Sequence, residues 1–218
     1  MKIIWRLTDL IMYALLLIIT LMAGYLCQLC RTKRPARYYG GQHIVFSGSS
    51  RQNLTQTVIT TFFIGYLMLL CLRDTEVGID TQSYIRLYFY PFSYMTWEEI
   101  IAYKPDELGF SLLVKLITII TTDEHIFVAV VAVLSILPVM ILYKKEAKNA
   151  AIACSFFLIS LLFEFFFSGM RQSIAVALAA PAYYFVKNKK PILFILVVLL
   201  ASTMHSSAIM LFALYPIY

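Results

Sequence analysis

The chain has 218 residues, of which 61% are apolar and only 14% charged, with a net charge of +6 and a mean hydropathy of +0.80. Soluble globular chains do not carry so little charge on so much hydrocarbon, so the composition specifies an integral membrane protein. The positive charges cluster beside apolar runs, where membrane topology uses them, and this argues against a nucleic-acid partner.

A helix needs about 18 or more apolar residues to cross about 30 Å of hydrocarbon. In chain order, spans are predicted at 10–29, 54–72, 126–143 and 150–168, the last despite Glu164. Two shorter segments, 173–186 and 191–204, are read as spans that use flanking residues or tilt into protein. The apolar stretch 108–121 is too short and carries Lys115 at its centre. A charge at mid-bilayer is costly, so a re-entrant or interfacial helix is expected there. The fold class is therefore all-α: a polytopic transmembrane bundle forming one domain over 1–218, with interfacial or re-entrant helices in an extracytoplasmic loop.

Lysine and arginine bias orients the chain. The loop 30–53 holds Arg31, Lys33, Arg34, Arg37 and Arg51 with no acid, and is expected in the cytoplasm. Its Gly40-Gly41 and Ser47-Gly48-Ser49-Ser50 read as a flexible connector. The loop 73–107 has three basic residues against seven acids and is expected outside. Later clusters (Lys144, Lys145 and Lys148, then Lys187, Lys189 and Lys190) fall on the cytoplasmic side only if 108–121 does not cross. Lys2 and Arg6 sit on the outer side in this topology, outweighed by the five basic residues that follow the first span. That span lacks a small-residue cleavage site, so no removable signal is expected. The sequence stops inside an apolar run, 191–218, with a polar centre at 202–207, as expected of an N-terminal portion of a longer chain.

Against this background four polar marks are read as functional: Gly78-Ile79-Asp80-Thr81-Gln82-Ser83-Tyr84, Glu107-Leu108-Gly109, Arg171 and His205. The topology places all four on one side of the membrane. Asp80 and Glu107 are acceptable bases for a hydroxyl, with Gly78 allowing a close turn beside Asp80. Alternatively, both are ordinary solvated loop acids. Arg171 follows Gly169 at a helix start, where a guanidinium and free backbone N–H groups bind phosphate or pyrophosphate. It could equally snorkel to headgroups or pair with Glu164, seven residues back. His205 could relay a proton or hydrogen-bond a phosphate, or be a packing histidine. The loop aromatics Tyr84, Tyr88, Phe89, Tyr90, Phe92, Tyr94, Trp97 and Tyr103 suit sugar stacking or an interfacial belt, with 81–90 as an amphipathic helix. Cys27 and Cys30 lack the second ligand pair that zinc needs, and His43 and His125 are isolated.

The ordered set resembles the EpsG family of polysaccharide polymerases, functionally related to the Wzy polymerases of O-antigen and capsule assembly. The resemblance rests on Gly78 to Tyr84 after an early span, Glu107-Leu108-Gly109-Phe110, Arg171-Gln172 opening a helix, and His205-Ser206-Ser207-Ala208 near the end of a later one. It implies a multi-pass enzyme of the bacterial cytoplasmic membrane, acting at the outer face on undecaprenyl-pyrophosphate-linked glycan. Membrane lipids and other polysaccharide-assembly proteins are its expected partners, with no cofactor and no metal. The implied catalytic residues are Asp80, Glu107 and His205, and the substrate contacts are Arg171, Gln172, Tyr84 and Gln82. Within that set Arg171 meets the pyrophosphate, Asp80 or Glu107 meets the acceptor hydroxyl, and His205 serves either. A flippase for the same lipid-linked glycan, or a non-catalytic subunit, stays open; a transporter would spread its polar groups along a path to both faces.

Overall fold

The computed structural model describes Leu15, Ile18, Met22, residues 38–39 and 42–43, and residues 49–217 apart from Lys104 and Leu161. Apart from Leu15, Ile18 and Met22, the predicted span 10–29 lies outside the described residues, as does most of the basic loop 30–53. Apart from a two-residue antiparallel pair, β1 (Tyr38–Tyr39) and β2 (Gln42–His43), the described chain is helical. It clusters into two compact units, one of 1–64 with 143–163 and the other of 65–142 with 164–218.

Two described helices are long and apolar enough to cross a membrane: α1 (Ser49–Leu72), through its stretch Leu54–Leu72, and α6 (Glu124–Glu146). Helix α1 starts at Ser49, inside the stretch read as a connector. The fourth predicted span is not one helix. Helix α7 (Ala150–Ile159) stops at Ser160, whose backbone is extended and whose hydroxyl donates to the Phe157 carbonyl at 2.9 Å; α8 (Leu162–Ser168) then begins. A serine bonding its own backbone offers an alternative to the helical ladder, and here the chain takes it. Counting α7 and α8 as one broken span makes three candidates.

In the first unit, edge-to-face rings form the core. Phe63 meets Phe157 at 5.0 Å and Tyr143 at 5.2 Å between centroids. The Asn149 side chain accepts from the Ile152 amide and caps α7, as a short polar side chain does at a helix start.

The second unit carries the polar marks. One helical stretch runs through α2 (Thr81–Tyr84), a π-helical segment (Ile85–Phe89) and α3 (Tyr90–Tyr94). Its apolar face turns into protein: Tyr84, Ile85, Tyr88, Phe89 and Phe92 are buried, with Phe89 stacked on Phe127 at 4.9 Å. Those rings are core and present no open stacking surface; Tyr90, Tyr94, Trp97 and Tyr103 remain exposed. Helix α4 (Trp97–Tyr103) opens with a capping box, Thr96 and Glu99 bonding each other's backbone N–H groups.

After a short 3₁₀ turn (Pro105–Glu107) comes α5 (Leu108–Ile120), the apolar segment judged too short to cross. Its 13 residues rise about 20 Å at 1.5 Å each, short of the hydrocarbon thickness. Lys115 is satisfied within the protein, its ammonium donating to the carbonyls of Phe92 at 2.9 Å and Met95 at 2.8 Å. These are carbonyls at the end of α3, where a helix lacks backbone partners and favours a cation.

Helices α9 (Met170–Lys187) and α10 (Pro191–Met204) form a hairpin across a turn in which Lys189 takes a left-handed φ of 52°. Small side chains, Ala175 and Ala182 on α9 and Ala201 on α10, are buried in the contact and let the helices approach closely. A 3₁₀ stretch (Ser206–Ala213) and the short α11 (Leu214–Ile217) follow.

Candidate functional site

Three element ends meet in the second unit, and each brings one polar side chain. Glu107 closes the 3₁₀ turn before α5 and is 8% exposed. Arg171 is the second residue of α9, and His205 sits immediately past α10. One Glu107 oxygen forms an ion pair with the Arg171 guanidinium, and the other lies 3.0 Å from His205 Nδ1.

Gly109 makes this approach possible. A Cβ there would stand 2.8 Å from Thr203 Cβ and 3.0 Å from the Thr203 carbonyl carbon, so only glycine lets the first turn of α5 lie against the last turn of α10. Glu107 and His205, each two residues from that contact, are brought face to face.

Arg171 is also held by aromatics. Its guanidinium carbon lies 5.4 Å from the Tyr84 ring centroid and 5.6 Å from that of Tyr88, and Nε donates to the Tyr84 hydroxyl at 3.4 Å. Tyr84 immediately precedes the π-helical segment and Tyr88 is its fourth residue, in a backbone variant often found at functional sites. The acid that pairs with Arg171 is Glu107; Glu164, the partner weighed from sequence, is exposed on α8.

Burial, and secondarily the Arg171 charge, hold the His205 imidazole below its usual 6.5. Neutral at pH 7, the ring has one donor and one acceptor nitrogen. Nδ1 faces a carboxylate, so it carries the hydrogen, and Nε2 accepts from the Gln172 amide nitrogen at 3.3 Å. A polar chain therefore runs Arg171, Glu107, His205, Gln172.

His205 and Gln172 also face a cavity of about 570 Å³. The rest of its wall is mainly apolar, including Phe165, Val176, Leu211 and Leu214. A mainly apolar hollow with a few convergent polar groups is the usual form of a ligand site.

Of the residues proposed from sequence, Tyr84, Glu107, Arg171, Gln172 and His205 come together. Asp80 does not join them: it is exposed at the start of α2, and its side chain makes no cap hydrogen bond. Gln82 turns to the loop, donating to Thr75 Oγ1 at 3.1 Å, and Thr75 in turn donates to Glu124 at 2.9 Å. Tyr88 was named only among the loop aromatics and Thr203 fell only within the polar centre 202–207, so neither was expected at the cluster; Tyr88 stands four residues beyond Tyr84, a spacing that signalled a shared face. No group of three or more metal-ligating side chains occurs among the described residues.

No curated protein and no solved structure matches the chain. The model of the EpsG family matches residues 56–218, most of the chain, including every residue of this cluster. Apolar helices and that match together establish the chain as a membrane protein that belongs to the EpsG family, a family of polysaccharide biosynthesis.

Proposed function

We propose that the protein polymerises undecaprenyl-diphosphate-linked repeat units at the outer face of the bacterial cytoplasmic membrane, and that the cluster around Glu107 carries the transfer. The reading rests on one observation, the polar chain from Arg171 through Glu107 to His205 and Gln172 beside an apolar hollow. Guanidinium N–H groups beyond those engaged by Glu107 and Tyr84 bind the donor diphosphate. The acceptor hydroxyl oxygen bonds to the anomeric carbon as the bond from that carbon to the diphosphate oxygen breaks. His205 Nε2 takes the hydroxyl proton, and Glu107 holds the ring in the tautomer that leaves Nε2 free of hydrogen. The lipid diphosphate departs with its charge stabilised by Arg171. In this assignment Glu107 orients His205, Gln172 yields Nε2 to the acceptor, and Tyr84 steadies Arg171. Asp80 and Gln82, outside the cluster, serve as loop contacts to the glycan.

Glycan electrophoresis of cells carrying the whole protein or its Arg171→Ala variant tests this. The expected result is loss of the polymer ladder with single lipid-linked repeat units still present outside. An unchanged ladder overturns the assignment, and loss of outer-face repeat units favours transport instead.

A base on His205 also fixes the pH response. Its folded value lies below 6.5, so the neutral form persists at pH 7 and is lost only as pH falls through that lower value. Polymerisation by membrane vesicles, followed from about pH 5 to pH 8, should show an acid limb below 6.5. His205→Gln should be slow and flat across the same range.

A further inference from the structure

The first of the polar marks, Gly78 to Tyr84, and the basic Arg73 meet at a single backbone oxygen. Phe167 lies in the last turn of α8, where carbonyls lack helical partners, and its oxygen accepts from the Arg73 guanidinium and from Thr81 Oγ1, the latter at 3.2 Å. The Arg73 guanidinium also lies 5.4 Å from the Phe167 ring centroid. Thr81 is fully buried, and its hydroxyl is within 3.0 Å of the Val77 carbonyl as well. Next along, the Ile79 amide donates to Ser168 Oγ at 3.1 Å. Gly78 has a φ of +103°, and a Cβ there would run into the same Phe167 oxygen and into Thr81 Oγ1.

This grip stands four residues before Arg171. From Phe167 the chain passes Ser168 and Gly169 and enters α9 at Met170, with the Ser173 amide donating to the Gly169 carbonyl at 2.7 Å. One helical turn along α2 from Thr81, Tyr84 touches the Arg171 guanidinium. A four-residue helix thus holds the backbone leading to Arg171 at one end and the Arg171 side chain at the other.

We propose that Thr81, Gly78 and Arg73 are positioning residues: the first loop motif grips the α8–α9 turn through the Phe167 carbonyl and sets the place of Arg171. The inference rests on the proposed role of Arg171. It gives Gly78 to Tyr84 a mechanical task, with Thr81 at its centre, where the sequence pointed to Asp80 as a base.

The test is a double-mutant cycle on polymerisation rate, using whole protein in membrane vesicles with lipid-linked repeat units. Thr81→Val keeps the shape and removes the hydroxyl; with Arg171 present it should slow polymerisation about tenfold or more, the usual scale for a misplaced binding group. Thr81→Ser should restore most of that rate. In an Arg171→Lys background, already impaired, Thr81→Val should cost less than about twofold, because the group it positions is gone. An equal loss in both backgrounds, with normal membrane levels by immunoblot, overturns the proposal, as does full activity of Thr81→Val. If Thr81→Val fails to accumulate, Arg73→Lys and Arg73→Gln run the same cycle, the lysine variant being the milder. Failure of the underlying reading is separate and visible: Arg171→Ala would then leave the polymer ladder intact.

Discussion

Replacing Glu107 by alanine should cost about 3 kcal/mol of stability and abolish the polymer ladder. Removing one partner of a buried ion pair leaves the other charge without compensation, and such losses run to about 3–5 kcal/mol. The Arg171 side chain keeps 19% of its exposure, so solvent screens part of the effect and the lower end applies. The same substitution frees His205 to take either tautomer. Thermal unfolding in detergent, read by size-exclusion of the heated protein, checks the stability arm. Adding Arg171→Ala to Glu107→Ala should recover much of the lost stability and none of the ladder. If Glu107→Ala is as stable and as active as the parent, the pair carries neither role.

Gly109→Ala should be nearly as damaging, although it adds one methyl group. The atoms it meets are Oγ1, Cβ and the carbonyl carbon of Thr203, and the last two have no free torsion by which to swing clear. The end of α10 must shift, and overpacking of this kind costs about 1–3 kcal/mol. His205 follows Thr203 by two residues, so its hydrogen bond to Glu107 stretches with the shift. Polymerisation should fall about a hundredfold, the scale of an ångström of misplacement. Thr203→Gly in the Gly109→Ala background removes the obstructing side chain and should return part of the rate. A fully active Gly109→Ala would show that the α5–α10 contact does not set the distance from Glu107 to His205.

Arg171 and His205 were legible because each is a charged or titratable group interrupting hydrocarbon, and such groups are rarely idle; Glu107 was legible as the acid at the end of a polar loop, at the start of an apolar segment. The positive-inside argument expected them on one side, and the structure brings the three side chains into contact. Their pairing was not legible. Sequence neighbourhood offered Arg171 the acid seven residues behind it, while its partner is Glu107 on another element. Local spacing carries no information about contacts across helices. Asp80 reads from sequence as an acceptable base with Gly78 allowing a close turn beside it; the structure packs Gly78 against the Phe167 carbonyl and leaves Asp80 exposed, outside the cluster. Lys115 drew attention as a charge within an apolar segment, and the relief of that charge by two carbonyls of a preceding helix lay beyond any periodicity rule. The break at Ser160 escaped because neither glycine nor proline marks it.

The same two pairings give the site an order of assembly during synthesis. The acceptors of Lys115 precede it by 23 and 20 residues, so they already exist when that lysine leaves the ribosome, and α5 can dock at once. Glu107 must wait, since His205 is made 98 residues later. Until α9 and α10 arrive, this carboxylate is a lone acid at the rim of a half-built protein. The polar chain is therefore completed only after α10 has been made, and a ribosome stalled before α10 would leave Glu107 without His205.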